Sequence, residues 1–143
     1  MVGEGELESD VRVLLADMIA KQIVNMTKKV PEEKFPDLLN DLMLYILPST
    51  SEGLPNIVLE SMACGTPVLA TPVGAVPNVI KNGVTGFILK DNRPESITEA
   101  VIDILKRKDI KEIIENASRL INEEYTIEKA RIRWKKALCQ EIQ

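Results

Sequence analysis

Apolar positions along the chain switch repeatedly between helical spacing and short unbroken runs, and the switches predict helices alternating with strands. Leu7, Val11, Leu14, Leu15 and Met18 fall on one face of a helix, and Ile23 to Met26 reads as a short strand after it. Pro31 suits the first position of a helix, where its missing N–H would be unpaired anyway, and predicts a helix ending near Asp41. Leu42 to Leu47 is apolar without a break and is closed by Pro48, which predicts a central parallel strand buried on both faces. After the polar loop Ser49 to Gly53, Pro55 opens a helix running to about Cys64. Gly65 stops that helix, and Pro67 to Ala70 supplies another buried strand. Gly74 and the Asn82-Gly83 pair bound an irregular stretch with room for one helical turn, and Gly86 to Leu89 is the last strand. From Pro94 the spacing is helical in three segments, broken near Lys108 and Glu124. This order predicts an α/β fold, a Rossmann-like three-layer sandwich around a parallel sheet.

Composition narrows the partners. The chain has 143 residues, 45% of them hydrophobic, enough for one core and hence for a single domain over 1–143. Eighteen basic and twenty-two acidic residues give a net charge of −4 with no block of like charge, so the basic footprint of a nucleic-acid binder is missing. Cys64 and Cys139 are too few for a disulfide framework or a zinc cluster and suit a reducing cytosol, so a cytoplasmic protein is expected. No apolar run is long enough to span a bilayer, and Met1-Val2-Gly3-Glu4 lacks the basic-then-apolar order of a signal peptide, which leaves at most peripheral membrane contact. Histidine is absent, so any acid, base or ligand role falls to carboxylates, lysines, hydroxyls or backbone groups.

The loop after the expected central strand is where chemistry is concentrated. Ligands of open α/β sheets bind at the carboxyl ends of the strands, which places Ser49 to Leu54 at the expected site. The helix opening at Pro55 offers unpaired N–H groups and the positive end of its dipole, and a diphosphate fits there. Within that helix Glu60 stands among Ile57, Val58, Leu59, Met62, Ala63 and Cys64, and a carboxylate buried among them would need partners. Asn56 and Glu60 share a face, and Glu60 lies roughly 7–8 Å along the axis from Pro55, about a diphosphate-to-ribose span. A ribose offering two hydroxyls would satisfy Glu60, and Glu52 could reach the sugar on the other side of the phosphates. Spacing alone equally allows Glu60 to be a helix carboxylate on a thin exposed strip and Glu52 an ordinary loop residue.

The stretch Ser51-Glu52-Gly53-Leu54-Pro55-Asn56-Ile57-Val58-Leu59-Glu60-Ser61-Met62-Ala63-Cys64-Gly65-Thr66-Pro67-Val68 resembles the signature of family 4 glycosyltransferases, which have the two-domain GT-B fold. Two glutamates separated by seven residues, followed by the Ala-x-Gly-x-Pro-Val run, make the signal specific. Val2-Gly3-Glu4-Gly5 is similar to the family's Val-Gly-x-Gly loop, Leu47-Pro48-Ser49 to its strand end, and Asn82-Gly83-Val84-Thr85-Gly86-Phe87 to its Gly-x-x-Gly segment. The resemblance implies the C-terminal, donor-binding half of a retaining enzyme that moves a sugar from a nucleoside-diphosphate sugar to an acceptor hydroxyl. It implies that Glu60 binds the ribose and that Glu52 contacts the transferred sugar as the catalytic residue. The backbone of Gly53, Leu54, Pro55 and Asn56 would hold the sugar and distal phosphate, and Gly3 and Gly5 would lie near the nucleotide. No metal and no cofactor beyond the donor substrate are implied.

The chain departs from the pattern in two places. Ala75 follows Gly74 where relatives carry a second glycine, and Asn78 stands where they carry glutamate. The family's first strand of this domain, its downstream Arg and Lys, and the N-terminal acceptor domain all precede the Val-Gly-x-Gly loop, near which this sequence begins. In a sheet of order 3-2-1-4-5-6 that strand is central, so a rearranged sheet or a partner chain is expected, and the chain alone is expected to be inactive. A non-catalytic nucleotide-binding or assembly module is the alternative. A dehydrogenase is disfavoured because Glu8 stands where the third glycine of Gly3-x-Gly5 should be. The last helix carries a stripe of Ile127, Ala130, Trp134, Ala137 and Leu138, which predicts concentration-dependent self-association if nothing in the chain covers it.

Overall fold

The computed structural model describes residue 1 and residues 5–140. They fall into two compact units, Met1–Asp37 and Leu38–Gln143.

In the first unit the expected single helix is two short ones, α1 (Glu8–Leu14) and α2 (Ala16–Ala20), separated at Leu15. Glu8 in the first turn accepts a hydrogen bond from Arg12 Nε at 2.8 Å and faces Lys28 Nζ at 3.5 Å, which ties the helix to the segment that follows α2. The strand expected at Ile23 to Met26 does not form. Its amides are used elsewhere: Gln22 takes a left-handed φ of 58°, and Ile23 N and Val24 N both donate to Met18 O, closing the end of α2. An amide that caps a helix is not free to pair in a ladder. Pro31 lies one position earlier than expected, as the extended residue before a 3₁₀ turn at Glu32–Lys34, and α3 follows at Phe35–Asn40.

The second unit is built on three parallel strands in the order β1 (Tyr45–Leu47), β2 (Val68–Ala70), β3 (Phe87–Ile88). The register pairs Tyr45 with Val68 and Leu69 with Phe87. The expected central position of the Leu42–Leu47 run is therefore corrected, because β2 is flanked on both sides and wholly buried whereas β1 has one neighbour among the described strands. Only the end of the run is strand: Leu42 N donates to Leu39 O in the turn after α3, Met43 is exposed, and pairing starts where Tyr45 N donates to Pro67 O.

Helices cover both faces of this sheet. On one face Val68 and Ala70 pack with Val58 and Met62 of α4 (Asn56–Ala63), Val76 and Val79 of α5 (Val76–Val79), and Ala117 and Ile121 of α7 (Ile110–Glu124). On the other, Leu69, Phe87 and Leu89 pack with Ile104 of α6 (Pro94–Leu105) and Ile113 of α7. The expected three-layer α/β arrangement is observed, with the alternation along β2 sending successive side chains into opposite layers. Gly65 ends α4 as expected: at φ 79° it donates to Met62 O while Thr66 N donates to Ser61 O, the paired bonds of a left-handed helix stop. The hydroxyl of buried Thr66 donates to Leu39 O at 2.6 Å, tying the strand entry to the end of α3. The last helix, α8 (Ile127–Gln140), has every side chain from 127 to 139 exposed, including Ile127 and Leu138, and is anchored at its base by Arg133, which donates to the Glu124 carbonyl and carboxylate.

Candidate functional site

The chain leaves β1 at Leu47 and turns through Pro48–Pro55 into α4, at the carboxyl edge of the parallel sheet. That loop is fixed by the segment after β2. Thr71 N and the Thr71 hydroxyl reach back to Leu47 O and Ser49 O, and Ala75 N donates to Gly53 O at 2.8 Å. Within the loop the Ser49 hydroxyl donates to Glu52 Oε1 at 2.9 Å, which restrains the carboxylate expected to face the sugar.

Pro55, at φ −65° and ψ 124°, is the residue before the first helical turn, one position earlier than the first helical position. No side chain caps α4. Among the described residues, the amides of Gly53, Leu54, Asn56 and Ile57 donate to no acceptor in the chain. Four free N–H groups at a helix start, with the dipole behind them, form an anion-accepting corner.

Glu60 is exposed, and so are Asn56 and Ala63, which continue the same strip. Of the two placements that the spacing allows, the exposed strip is the one observed and the buried carboxylate is not: Ile57 and Leu59 are only half-buried, and the face sunk into the core is Val58, Ser61 and Met62. The buried polar atom of α4 is instead the Ser61 hydroxyl, which has no hydrogen-bond partner among the described residues.

A third side chain, which the sequence had not singled out, feels the charge of both carboxylates. Tyr45 on β1 is half-buried against the α4-side core, and burial pushes its phenol above the usual value. The negative charges of Glu52 and Glu60 push in the same direction, so both carboxylates lie within electrostatic reach of this one hydroxyl. The phenol keeps its proton, and with it the ability to donate, beyond the range of an ordinary tyrosine. Its signal in the sequence was slight: it is the only hydroxyl in the run Leu42–Leu47.

Of the remaining expected donor residues, Gly5 lies in the first unit, where its carbonyl accepts from Glu8 N at 3.0 Å, and Gly3 lies outside the described residues. Asn78 is exposed on α5. Among the described residues no group of three or more His, Cys, Asp or Glu side chains is placed to hold a metal ion, and no helix is long and apolar enough to cross a membrane.

The family model described as glycosyl transferases group 1 matches residues 1–125. The chain belongs to that family. A glycosyltransferase of Haemophilus influenzae is 29% identical to this group 1 chain over 136 residues, 94% of the chain and 38% of the relative. One from Methanocaldococcus jannaschii is 30% identical over 138 residues, 95% of the chain and 35% of the relative. The group 1 chain thus spans little more than a third of the length of these relatives.

Among solved structures, Anabaena HepE in complex with UDP-glucose superposes with a TM-score of 0.77 at 20% identity, over 97% of this chain and 40% of that one. Sucrose-phosphate synthase from Thermosynechococcus elongatus gives 0.81 at 20% identity, over 99% and 37%. The C-terminal domain of a group 1 glycosyl transferase from Francisella tularensis gives 0.70 at 19% identity, over 86% of this chain and 66% of that one. The fold is accordingly that of the C-terminal domain of GT-B glycosyltransferases.

Proposed function

We propose that this group 1 domain, spanning 1–143, is the donor-binding half of a retaining, family 4 glycosyltransferase that takes a nucleoside-diphosphate sugar. The observation that carries the reading is the arrangement of Glu52 and Glu60 on either side of the free amides of Gly53, Leu54, Asn56 and Ile57. Each end suits one part of an extended donor. Glu60, exposed about a turn into α4, accepts hydrogen bonds from ribose hydroxyls. The amides and the helix dipole hold the diphosphate, and Glu52, steadied by Ser49, meets the sugar. The HepE structure contains UDP-glucose, a ligand with these three parts.

In the transfer step the bond from the anomeric carbon to the distal phosphate oxygen breaks and its electron pair leaves on that phosphate, while the acceptor hydroxyl oxygen bonds to the same carbon and its proton passes to the departing phosphate. Amides already pointing at the leaving group stabilise the charge it gains without reorganising, and this is the domain's main contribution to rate. Glu52 lies beside the sugar carbon as it becomes cationic. Glu52 and Glu60 are not an acid and base flanking one bond, because Glu60 is committed to the nucleotide. The acceptor is held by a separate domain or chain, which the exposed apolar stripe of α8 meets, and the whole works in the cytoplasm.

Calorimetry with UDP and UDP-glucose tests the assignment. Glu60→Ala should weaken UDP about 10- to 100-fold, the worth of one or two hydrogen bonds to a charged acceptor. Glu52→Ala should leave UDP within about twofold while removing the added affinity that the glucose gives. Unchanged affinity for both ligands in both variants would remove the reading.

A further inference from the structure

Gly74 lies two residues before α5, with a left-handed φ of 54°. A Cβ built on it would fall well inside contact distance of two backbone oxygens, those of Glu52 and Gly53. No other glycine among those described meets backbone so closely. The next residue completes the contact, with Ala75 N donating to Gly53 O at 2.8 Å. Two successive carbonyls of the loop are therefore held against the Gly74–Ala75 turn.

That contact sets where the donors of the same peptide units point. In a trans peptide the C=O of one residue and the N–H of the next are antiparallel, and the chain contains no described cis bond. With the Glu52 and Gly53 carbonyls turned onto Gly74 and Ala75, the N–H groups of Gly53 and Leu54 are turned away from them. These two amides have no acceptor among the described residues.

We propose that Gly74 is a positioning residue for the donor phosphates: its missing side chain lets the turn seat the Glu52 and Gly53 carbonyls, and so aims the Gly53 and Leu54 amides at the diphosphate. The proposal rests on the donor-site reading above and adds a residue twenty positions downstream to it. It also separates two properties of glycine. If only the left-handed backbone mattered, asparagine would serve at 74, since it tolerates that conformation. The close approach of two carbonyls leaves no room for any Cβ, so asparagine should fail as alanine does.

The test is a titration of the 143-residue chain with UDP, followed by amide NMR and calorimetry in wild type, Gly74→Ala and Gly74→Asn. In wild type, UDP should shift the amide signals of Gly53, Leu54 and Glu60. In both variants the Glu60 signal should still respond, the Gly53 and Leu54 signals should start elsewhere and respond weakly, and affinity should fall at least about tenfold. Ala75→Pro, which removes the donor to Gly53 O and adds no Cβ at 74, should show the same pattern at a few-fold loss and serves if the Gly74 variants do not fold. Wild-type affinity with wild-type Gly53 and Leu54 responses in any folded variant, or rescue by Gly74→Asn, overturns the proposal and leaves the donor site standing. A wild-type chain in which no signal responds to UDP overturns both.

Discussion

Leu69→Ala should lower the stability of the chain by about 3–4 kcal/mol, read as a fall in the urea midpoint at unchanged slope. Leu69 is fully buried in the middle of β2, with β1 and β3 paired on either side and α6 and α7 closing over its side chain. Strand pairing holds its Cα in place, so the layers cannot close over the space that truncation leaves. The lost burial and the residual cavity then add. Against a total of about 5–15 kcal/mol for an ordinary domain, that is a large share. A loss below about 1 kcal/mol would mean that the sheet and α6 are not packed as described.

The second large effect is expected at Gly86, where the chain enters β3. Its φ of 154° is a conformation that residues with side chains rarely adopt, and an added Cβ would lie 3.1 Å from both Ile80 Cγ2 and Val68 O. Both neighbours are part of the buried core. Backbone strain and overpacking each contribute about 1–3 kcal/mol, so Gly86→Ala should cost about 3 kcal/mol in the same experiment. Gly65→Ala is the control: its φ is also positive, but the nearest atom to a new Cβ is Ile114 Cγ2 at 3.6 Å, and only the helix-stop conformation is penalised, at about 1 kcal/mol. Equal losses for the two alanines would show that packing at Gly86 is not tight.

What the sequence made legible was mostly local chemistry. Gly65 as the stop of α4 and the three C-terminal helices broken near Lys108 and Glu124 followed from caps and spacing within a few residues. The errors lie where a partner outside the run decides. Ile23 to Met26 has strand composition, yet its first two amides, those of Ile23 and Val24, are taken by Met18. Leu42 to Leu47 reads as a central strand, but β2 holds the middle because β3, far downstream, pairs with it and not with β1.

The site divides in the same way. The signature placed Glu52 and Glu60 on the loop and helix where they stand, while spacing alone left Glu60 either buried or on an exposed strip, and the half-buried Ile57 and Leu59 leave that strip open. Tyr45 comes within the field of the pair only through folding, since it stands on β1 and not on the loop or helix that carries the carboxylates. Gly74 was visible as the edge of an irregular stretch. Its contact with Glu52 and Gly53 was not, because the residues that meet there are separated by about twenty positions and two further elements.

The exposure of α8 gives the chain a built-in optical reporter. Trp134 is its single tryptophan and stands 69% exposed on that helix, so its fluorescence begins close to that of the indole in water. Emission from this protein follows the surroundings of one helix, while far-ultraviolet circular dichroism sums over every helix and strand. A surface that comes to lie over Trp134 and excludes water from it will move the first signal to shorter wavelength and, where no helix forms or melts, leave the second unchanged.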